Sequence, residues 1–328
     1  MSGKYLVDIA IGVGADKNFT YAVPEHLRQK AVPGQRVSVP FGKKVLTGFI
    51  VGRASSAPSA EVRELLEIPD ETPLIPAALM EITRWTASYY RAPWGQALAM
   101  ALPPGIDEGA VARPRRSVRE DSASSIGGGG EVTLNPAQRG AASAIISAVK
   151  GQAYKTFMLH GATGSGKTEV YMRAIEALAG TGRGAIVLVP EISLTPQLTR
   201  RFSDRFAGAV AVMHSGLTDS QRRSEWRRIR SGEATVAIGA RSAVFAPFEK
   251  VGLIVVDEEH DGSYKQEEGI KYSGRDVAVM RGSLEGCPVV LGSATPSLES
   301  YYNAVKGKYT LLALPDRAAG RPMPSVRI

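Results

Sequence analysis

The chain has 328 residues and a mass of 34.9 kDa, room for two or three domains. Hydrophobic residues at 44% and charged residues at 22% sit near the globular average, which excludes general disorder and a fibrous architecture. Lys and Arg number 40 against 32 Asp and Glu, a net charge of +8 that suits a polyanionic partner without requiring one. The N-terminus reads as strands. Val37, Val39 and Phe41 alternate with polar or small partners, residues 45–51 form a second extended run, and Gly34, Gly42 and Gly52 punctuate them. Residues 75–90 switch to helical spacing, with Ile75, Leu79, Ile82, Trp85 and Tyr89 on one face, a stripe expected to pack against the strands. We assign 1–105 to this β-rich unit.

Residues 106–131 change composition abruptly to arginines, acids, a serine cluster and the run Gly127 to Gly130. Such a stretch buries too little apolar surface to offset its ordering entropy and reads as a flexible linker. From 132 to 328 the pattern becomes short buried strands (156–159, 185–189, 210–213, 235–238, 253–256 and 289–291) with helices between several of them, for example 169–179 and 197–206. Strands without polar alternation belong in a parallel sheet covered on both faces, so this unit is expected to be α/β of doubly wound type. In Arg222 to Arg230 the spacing puts Trp226 and Ile229 on a packing face with the arginines solvated; a phosphate-binding face is the alternative. Cys287 is the single cysteine, which excludes an internal disulfide framework and a two- or four-cysteine zinc site in this chain; before Pro288 and a buried strand it reads as structural. No apolar run approaches the roughly 20 residues of a membrane helix, and Asp8, Gly12 and Gly14 interrupt the N-terminus where a signal peptide needs its apolar core. A cytoplasmic location is expected.

Three motifs carry chemistry. Gly161-Ala-Thr-Gly-Ser-Gly-Lys-Thr168 is a complete GxxxxGK[ST] loop between an apolar strand and a helix, the context that distinguishes a phosphate loop from an ordinary glycine-rich turn. Its backbone N–H groups and the helix N-terminus suit phosphate oxygens; Lys167 reaches the β- and γ-phosphates and the Thr168 hydroxyl ligates Mg²⁺. Next, 253–260 runs from an apolar strand into Asp257, Glu258, Glu259 and His260. Asp257 is the expected Mg²⁺ ligand and Glu258 the residue that orients and deprotonates the attacking water. His260 suits a relay between nucleotide and polymer, a solvated turn residue being the alternative. Finally, Gly292-Ser-Ala-Thr-Pro296 places Ser293 and Thr295 beyond another apolar strand, where they are able to bond the acidic loop. By itself that sequence is only a turn; the order of the three motifs gives it weight.

These motifs resemble those of superfamily 2 nucleic-acid helicases, and the wording GATGSGKTEVY (161–171), VLVPEISLTPQL (187–198), GARSAVF (239–245), DEEHDGSYKQ (257–266) and LGSATPSLE (291–299) resembles the PriA (primosomal protein N′) family of replication-restart helicases. The resemblance covers nearly all of 4–328 except the linker. It implies a RecA-like first helicase lobe at 132–328, ATP and Mg²⁺ as cofactors, and ATP-driven 3′-to-5′ unwinding at stalled forks. The implied nucleotide contacts are Gln138 (for adenine), Gly161, Thr163, Gly164, Ser165, Gly166, Lys167 and Thr168. By the same resemblance the N-terminal unit holds a 3′ DNA end at Phe19, Thr20, Gly42 and Arg63, with Thr20 standing where an acid is familiar and Arg63 where a lysine is. DNA contacts are expected from Arg241 and Ser242, and from an aromatic-rich loop holding Tyr264, Lys265, Tyr272 and Arg275, whose rings suit base stacking. An ordinary exposed loop is the alternative. Implied partners are forked or 3′-ended DNA, primosome proteins and single-stranded-DNA-binding protein, in a bacterial cytoplasm and with no membrane. The family also carries a winged-helix domain, for which the linker is too short, and a second lobe with an eight-cysteine zinc module, whose ligands this chain lacks. Because second-lobe arginines are worth about 10³–10⁵ in rate in related NTPases, the chain alone is expected to bind nucleotide and DNA, hydrolyse ATP poorly and not unwind.

Overall fold

Alternation on short, glycine-bounded segments builds a four-stranded antiparallel sheet in the first third of the chain. β1 (Leu6–Ile11), β2 (Phe19–Ala22), β3 (Arg36–Phe41) and β4 (Lys44–Arg53) lie in the order β2-β1-β4-β3. The computed structural model describes residues 5–55, 62–106 and 133–317. The linker expected at 106–131 lies outside them except for Ile106, which is buried and accepts a hydrogen bond from Arg36. One face of the sheet buries Val7, Ile9, Val37, Val39 and Ile50 with Leu65 and Ile68. From the opposite face, Ala10 and Phe49 join a second core with α1 (Ala77–Tyr89) and α2 (Trp94–Met100).

The helical stripe departs from expectation at its end. Ile75, Leu79 and Ile82 are buried, whereas Trp85 is half-buried and Tyr89 is 62% exposed. These two rings stack on one another at 4.8 Å, and Trp85 also packs against the core that α1 shares with the second half of the chain. Their neighbour Tyr90 accepts the Ser273 N–H at 3.1 Å, bridging the N-terminal unit to the rest of the chain.

The second half is a seven-stranded sheet whose recorded pairings are all parallel: β5 (Thr156–Gly161), β6 (Gly184–Leu188), β7 (Val210–Met213), β8 (Val236–Gly239), β9 (Val251–Val256), β10 (Val289–Ser293) and β11 (Thr310–Leu314), in the order β11-β5-β10-β9-β6-β8-β7. The expected strands are there, and β11 adds an edge strand that the sequence reading did not name. Helices α3 (Pro136–Lys150), α4 (Lys167–Glu176), α5 (Pro196–Arg205), α6 (Asp219–Arg230), α7 (Gly274–Glu285) and α8 (Leu298–Val305) connect them. In α6, Trp226 and Ile229 are each 2% exposed, as the spacing required. Several of its arginines are tethered rather than solvated, Arg223 to the Pro104 carbonyl and Arg228 to Glu225 and Glu233. The strand order does the functional sorting. The strands preceding the phosphate loop, the Ser-Ala-Thr turn and the acids (β5, β10 and β9) are neighbours, and β6, β8 and β7 lie beyond them.

Candidate nucleotide site and nucleic-acid groove

The phosphate loop leaves β5 and enters α4 through Gly166, the N-cap residue at φ 84°, a left-handed conformation that glycine adopts without strain. Of the first-turn N–H groups of α4, that of Glu169 bonds the Gly166 carbonyl at 3.0 Å, and a helix start of this kind suits phosphate oxygens. Ser165 Oγ is buried with no hydrogen-bond partner, an orphan consistent with a site built for a ligand. The Lys167 ammonium is 7% exposed; it donates to the Gly161 carbonyl at 2.9 Å and lies 3.4 Å from Glu258 Oε1. Thr163 and Gly164 are exposed, and Thr168 is half-buried in the first turn of the helix. Gln138 completes the capping box of α3 with Asn135, and its Nε2 donates to the Ser165 carbonyl at 2.8 Å.

The acids follow β9 directly. Asp257 Oδ1 accepts from Tyr171 Oη at 2.9 Å, and the Asp257 carbonyl accepts from Tyr264 Oη at 2.6 Å. Burial raises the Asp257 carboxyl above its usual range, against the Tyr171 hydrogen bond, which favours the ionised form. Burial also pushes both tyrosines well above their ordinary value, so each stays a donor. Glu258 sits at φ 43°, a conformation that costs a side-chain-bearing residue roughly 1–2 kcal/mol. This stands beside its carboxylate's contacts: Oε1 with Lys167, and Oε2 3.4 Å from the Ala294 N–H. His260 Nδ1 lies 2.8 Å from Ser293 Oγ, and its Nε2 3.4 Å from Thr295 Oγ1. The residues named for relay therefore form one hydrogen-bonded set beside the acids.

Glu259 was not singled out by the sequence. Its side chain is buried and accepts from the Ser297 N–H (2.7 Å), Ser297 Oγ (3.0 Å), Ser300 Oγ (2.8 Å) and Arg275 Nη1 (3.2 Å). It thereby fastens the acidic loop to the start of α8. Arg275 also pairs with Asp276 at 2.9 Å, so its guanidinium takes part in this network. The rings of Tyr264 and Tyr272, for which stacking was expected, are buried here. Each is 2% exposed, and Tyr272 packs edge-on against Phe245 at 5.4 Å, so neither ring offers a face to a base in this arrangement.

A cavity of about 660 Å³ runs past the carboxyl ends of β7 and β8. Arg241, Ser242, His214 and Ser215 line it, with Lys265 from the loop after the acids and Met100 to Pro104 from the N-terminal unit. Arg241 donates to the carbonyls of Ser263 (3.0 Å) and Lys265 (2.6 Å), which fixes that loop against the cavity. Arg222 adds positive charge, while Glu191, Glu225, Glu267 and Glu268 line the same walls. In the N-terminal sheet, Phe19 packs edge-on against Phe41 at 5.1 Å, and Arg63 donates to the Gly42 carbonyl at 3.2 Å. Thr20 Oγ1 donates to Asp8 Oδ1 at 2.7 Å, across the β1–β2 register that pairs the two residues. A carboxylate thus stands beside the position where the sequence lacked one. Only the strand register could have shown it.

The family described as DEAD/DEAH box helicase matches residues 135–304, just over half of the chain, and covers the phosphate loop, the acids and the Ser-Ala-Thr turn together. The chain belongs to the DEAD/DEAH box helicase family. Residues 7–103 match the 3′DNA-binding domain (3′BD) of PriA. Replication restart protein PriA of Treponema pallidum (strain Nichols) is 38% identical over 330 residues, covering 98% of this chain and 49% of that protein. That of Bacillus subtilis (strain 168) is 53% identical over 195 residues, covering 60% of this chain and 24% of that protein. Among solved structures, RecG bound to a three-way DNA junction is 25% identical, with a TM-score of 0.43, over 58% of this chain and 25% of that one. The chain thus spans about half the length of PriA relatives that it matches nearly end to end. The resemblance to PriA read from the motifs holds for both halves of this helicase-family chain. Among the described residues no cluster of three or more His, Cys, Asp or Glu forms a metal cage, and no helix is long and apolar enough to cross a membrane.

Proposed function

We propose that this chain is the end-binding and ATP-binding portion of a replication-restart DNA helicase, working on 3′-ended or forked DNA in the bacterial cytoplasm. The observation that carries the reading is the meeting of Lys167 with Glu258 at 3.4 Å, beside Asp257 and the bonded pair His260 and Ser293. Lys167, Thr168 and Asp257 are the residues to hold a Mg–ATP complex; Mg²⁺ supplies charge neutralisation at the β- and γ-phosphates. In the present arrangement the Lys167 ammonium faces the Gly161 carbonyl and Glu258. A triphosphate competes for that ammonium, which frees the Glu258 carboxylate to orient water and accept its proton. His260, Ser293 and Thr295 then carry the change toward a bound strand. The 660 Å³ cavity, with Arg241, Ser242 and Lys265, is the groove for a single strand. Primosome proteins and single-stranded-DNA-binding protein are the proposed protein partners, from the resemblance to PriA.

The 328-residue polypeptide by itself is expected to bind nucleotide and DNA but to turn over below about 1 s⁻¹, the low end of ordinary enzymes. A faster DNA-stimulated turnover, abolished by Lys167→Ala or Glu258→Gln, would show that these residues suffice as a motor. A second reading, a nucleotide-gated fork-binding module without motor activity, is favoured by the shared core that joins α1 of the end-binding unit to α7 of the lobe. Unchanged fork function in a Glu258→Gln variant of the full-length protein would select it.

A further inference from the structure

Tyr171 belongs to the motor core, yet no role in nucleotide chemistry falls to it from the motifs. It sits one turn after Lys167 on α4, is 1% exposed, and sends its hydroxyl across the sheet edge to Asp257 Oδ1 at 2.9 Å. The path passes directly over Gly292 on β10. A Cβ at Gly292 would lie 1.6 Å from Tyr171 Oη, 2.9 Å from Cζ and 3.3 Å from Asp257 Oδ1. The glycine that opens Gly292-Ser-Ala-Thr is thus the passage through which the phosphate-loop helix reaches the acid. One hydroxyl meets all three motifs.

We propose that Tyr171 is a positioning residue for the metal-binding carboxylate, with Gly292 as its required clearance. This rests on the ATP–Mg²⁺ reading above. A lone carboxylate at a strand end rotates about χ1 and χ2. With Oδ1 accepting from Tyr171 and the backbone carbonyl accepting from Tyr264, the Asp257 carboxylate is held in one orientation toward a cation. Outer-shell partners of this kind are worth about 10- to 100-fold in metal affinity.

The test is calorimetric binding of AMPPNP to the 328-residue chain with Mg²⁺ or with EDTA, together with Mn²⁺ titration followed by electron paramagnetic resonance. Tyr171→Phe keeps the ring and removes the donor. It is expected to weaken the Mg²⁺-dependent part of AMPPNP binding and the Mn²⁺ affinity about 10-fold or more, leaving metal-free AMPPNP binding unchanged. Gly292→Ala, which displaces the hydroxyl without touching Tyr171 chemically, is expected to give the same selective loss. Added to Tyr171→Phe, it is expected to weaken metal binding little further, because the two act on one contact. Equal Mn²⁺ affinity in wild type and Tyr171→Phe, or fully additive losses in the double variant, would overturn the role of Tyr171. A wild type whose AMPPNP affinity is indifferent to Mg²⁺ would instead overturn the underlying ATP–Mg²⁺ reading.

Discussion

Single side chains decide two matters that spacing left open. Asp8 stands opposite Thr20 and accepts a hydrogen bond from its hydroxyl at 2.7 Å, so the pair presents a hydroxyl backed by a carboxylate. If this pair reads a 3′-OH end, Asp8→Ala lowers the preference for 3′-OH over 3′-phosphate oligonucleotides about tenfold, the worth of one hydrogen bond to a charged group. Fluorescence anisotropy with the two oligonucleotides measures it, and an unchanged preference removes Asp8 from the site. Cys287 is fully buried, and its thiol is pushed up to about 12, chiefly by that burial. Below that pH the folded protein keeps the thiol protonated, so no reaction with a disulfide reagent is expected at pH 8 until the chain is unfolded. The same burial fixes a sign. The unfolded thiol releases its proton near pH 9 while the folded one retains it, so stability falls as the pH rises from about 9 to about 12. Cys287→Ala flattens that slope in a denaturant series.

At the scale of elements, the network around Glu259 joins the acidic loop, α7 and α8. A buried carboxylate with four donors is costly to disturb, because removing it strands Arg275 and two serines. Glu259→Ala is expected to cost about 2–4 kcal/mol, seen as a Tm lower by roughly 5–15 °C; a loss under about 1 kcal/mol would mean the network is not structural. This network and the two tyrosines on Asp257 also mark what the sequence could not tell. Strands β5, β6 and β7 and the phosphate loop were legible because apolar runs and glycine spacing are local signals. The fates of Tyr264, Tyr272 and Arg275 were not, since an aromatic, cationic loop has the same composition whether its rings face DNA or the core. Burial there is decided by Arg241, which clamps the loop carbonyls from a segment more than twenty residues upstream. Strand β11 escaped notice for a related reason. At the sheet edge its Leu311 is exposed and Leu312 packs inward, so five residues lack the all-buried signature of the central strands.

At the scale of the whole molecule, sheet order sets the phosphate-loop, Ser-Ala-Thr and acid motifs after β5, β10 and β9 and the 660 Å³ cavity at the ends of β8 and β7, with the loop after the acids touching both. Tyr264 grips Asp257 at one end of that loop while Lys265 lines the groove. The central claim is that occupancy of one site is felt at the other. It is tested most directly by the affinity of a fluorescent 3′-ended single strand with and without saturating Mg·AMPPNP, in wild type and in Lys167→Ala. A shift of at least about fivefold in wild type, absent in Lys167→Ala, is the expected result, corresponding to a coupling of roughly 1 kcal/mol. Identical affinities with and without nucleotide in wild type would contradict it.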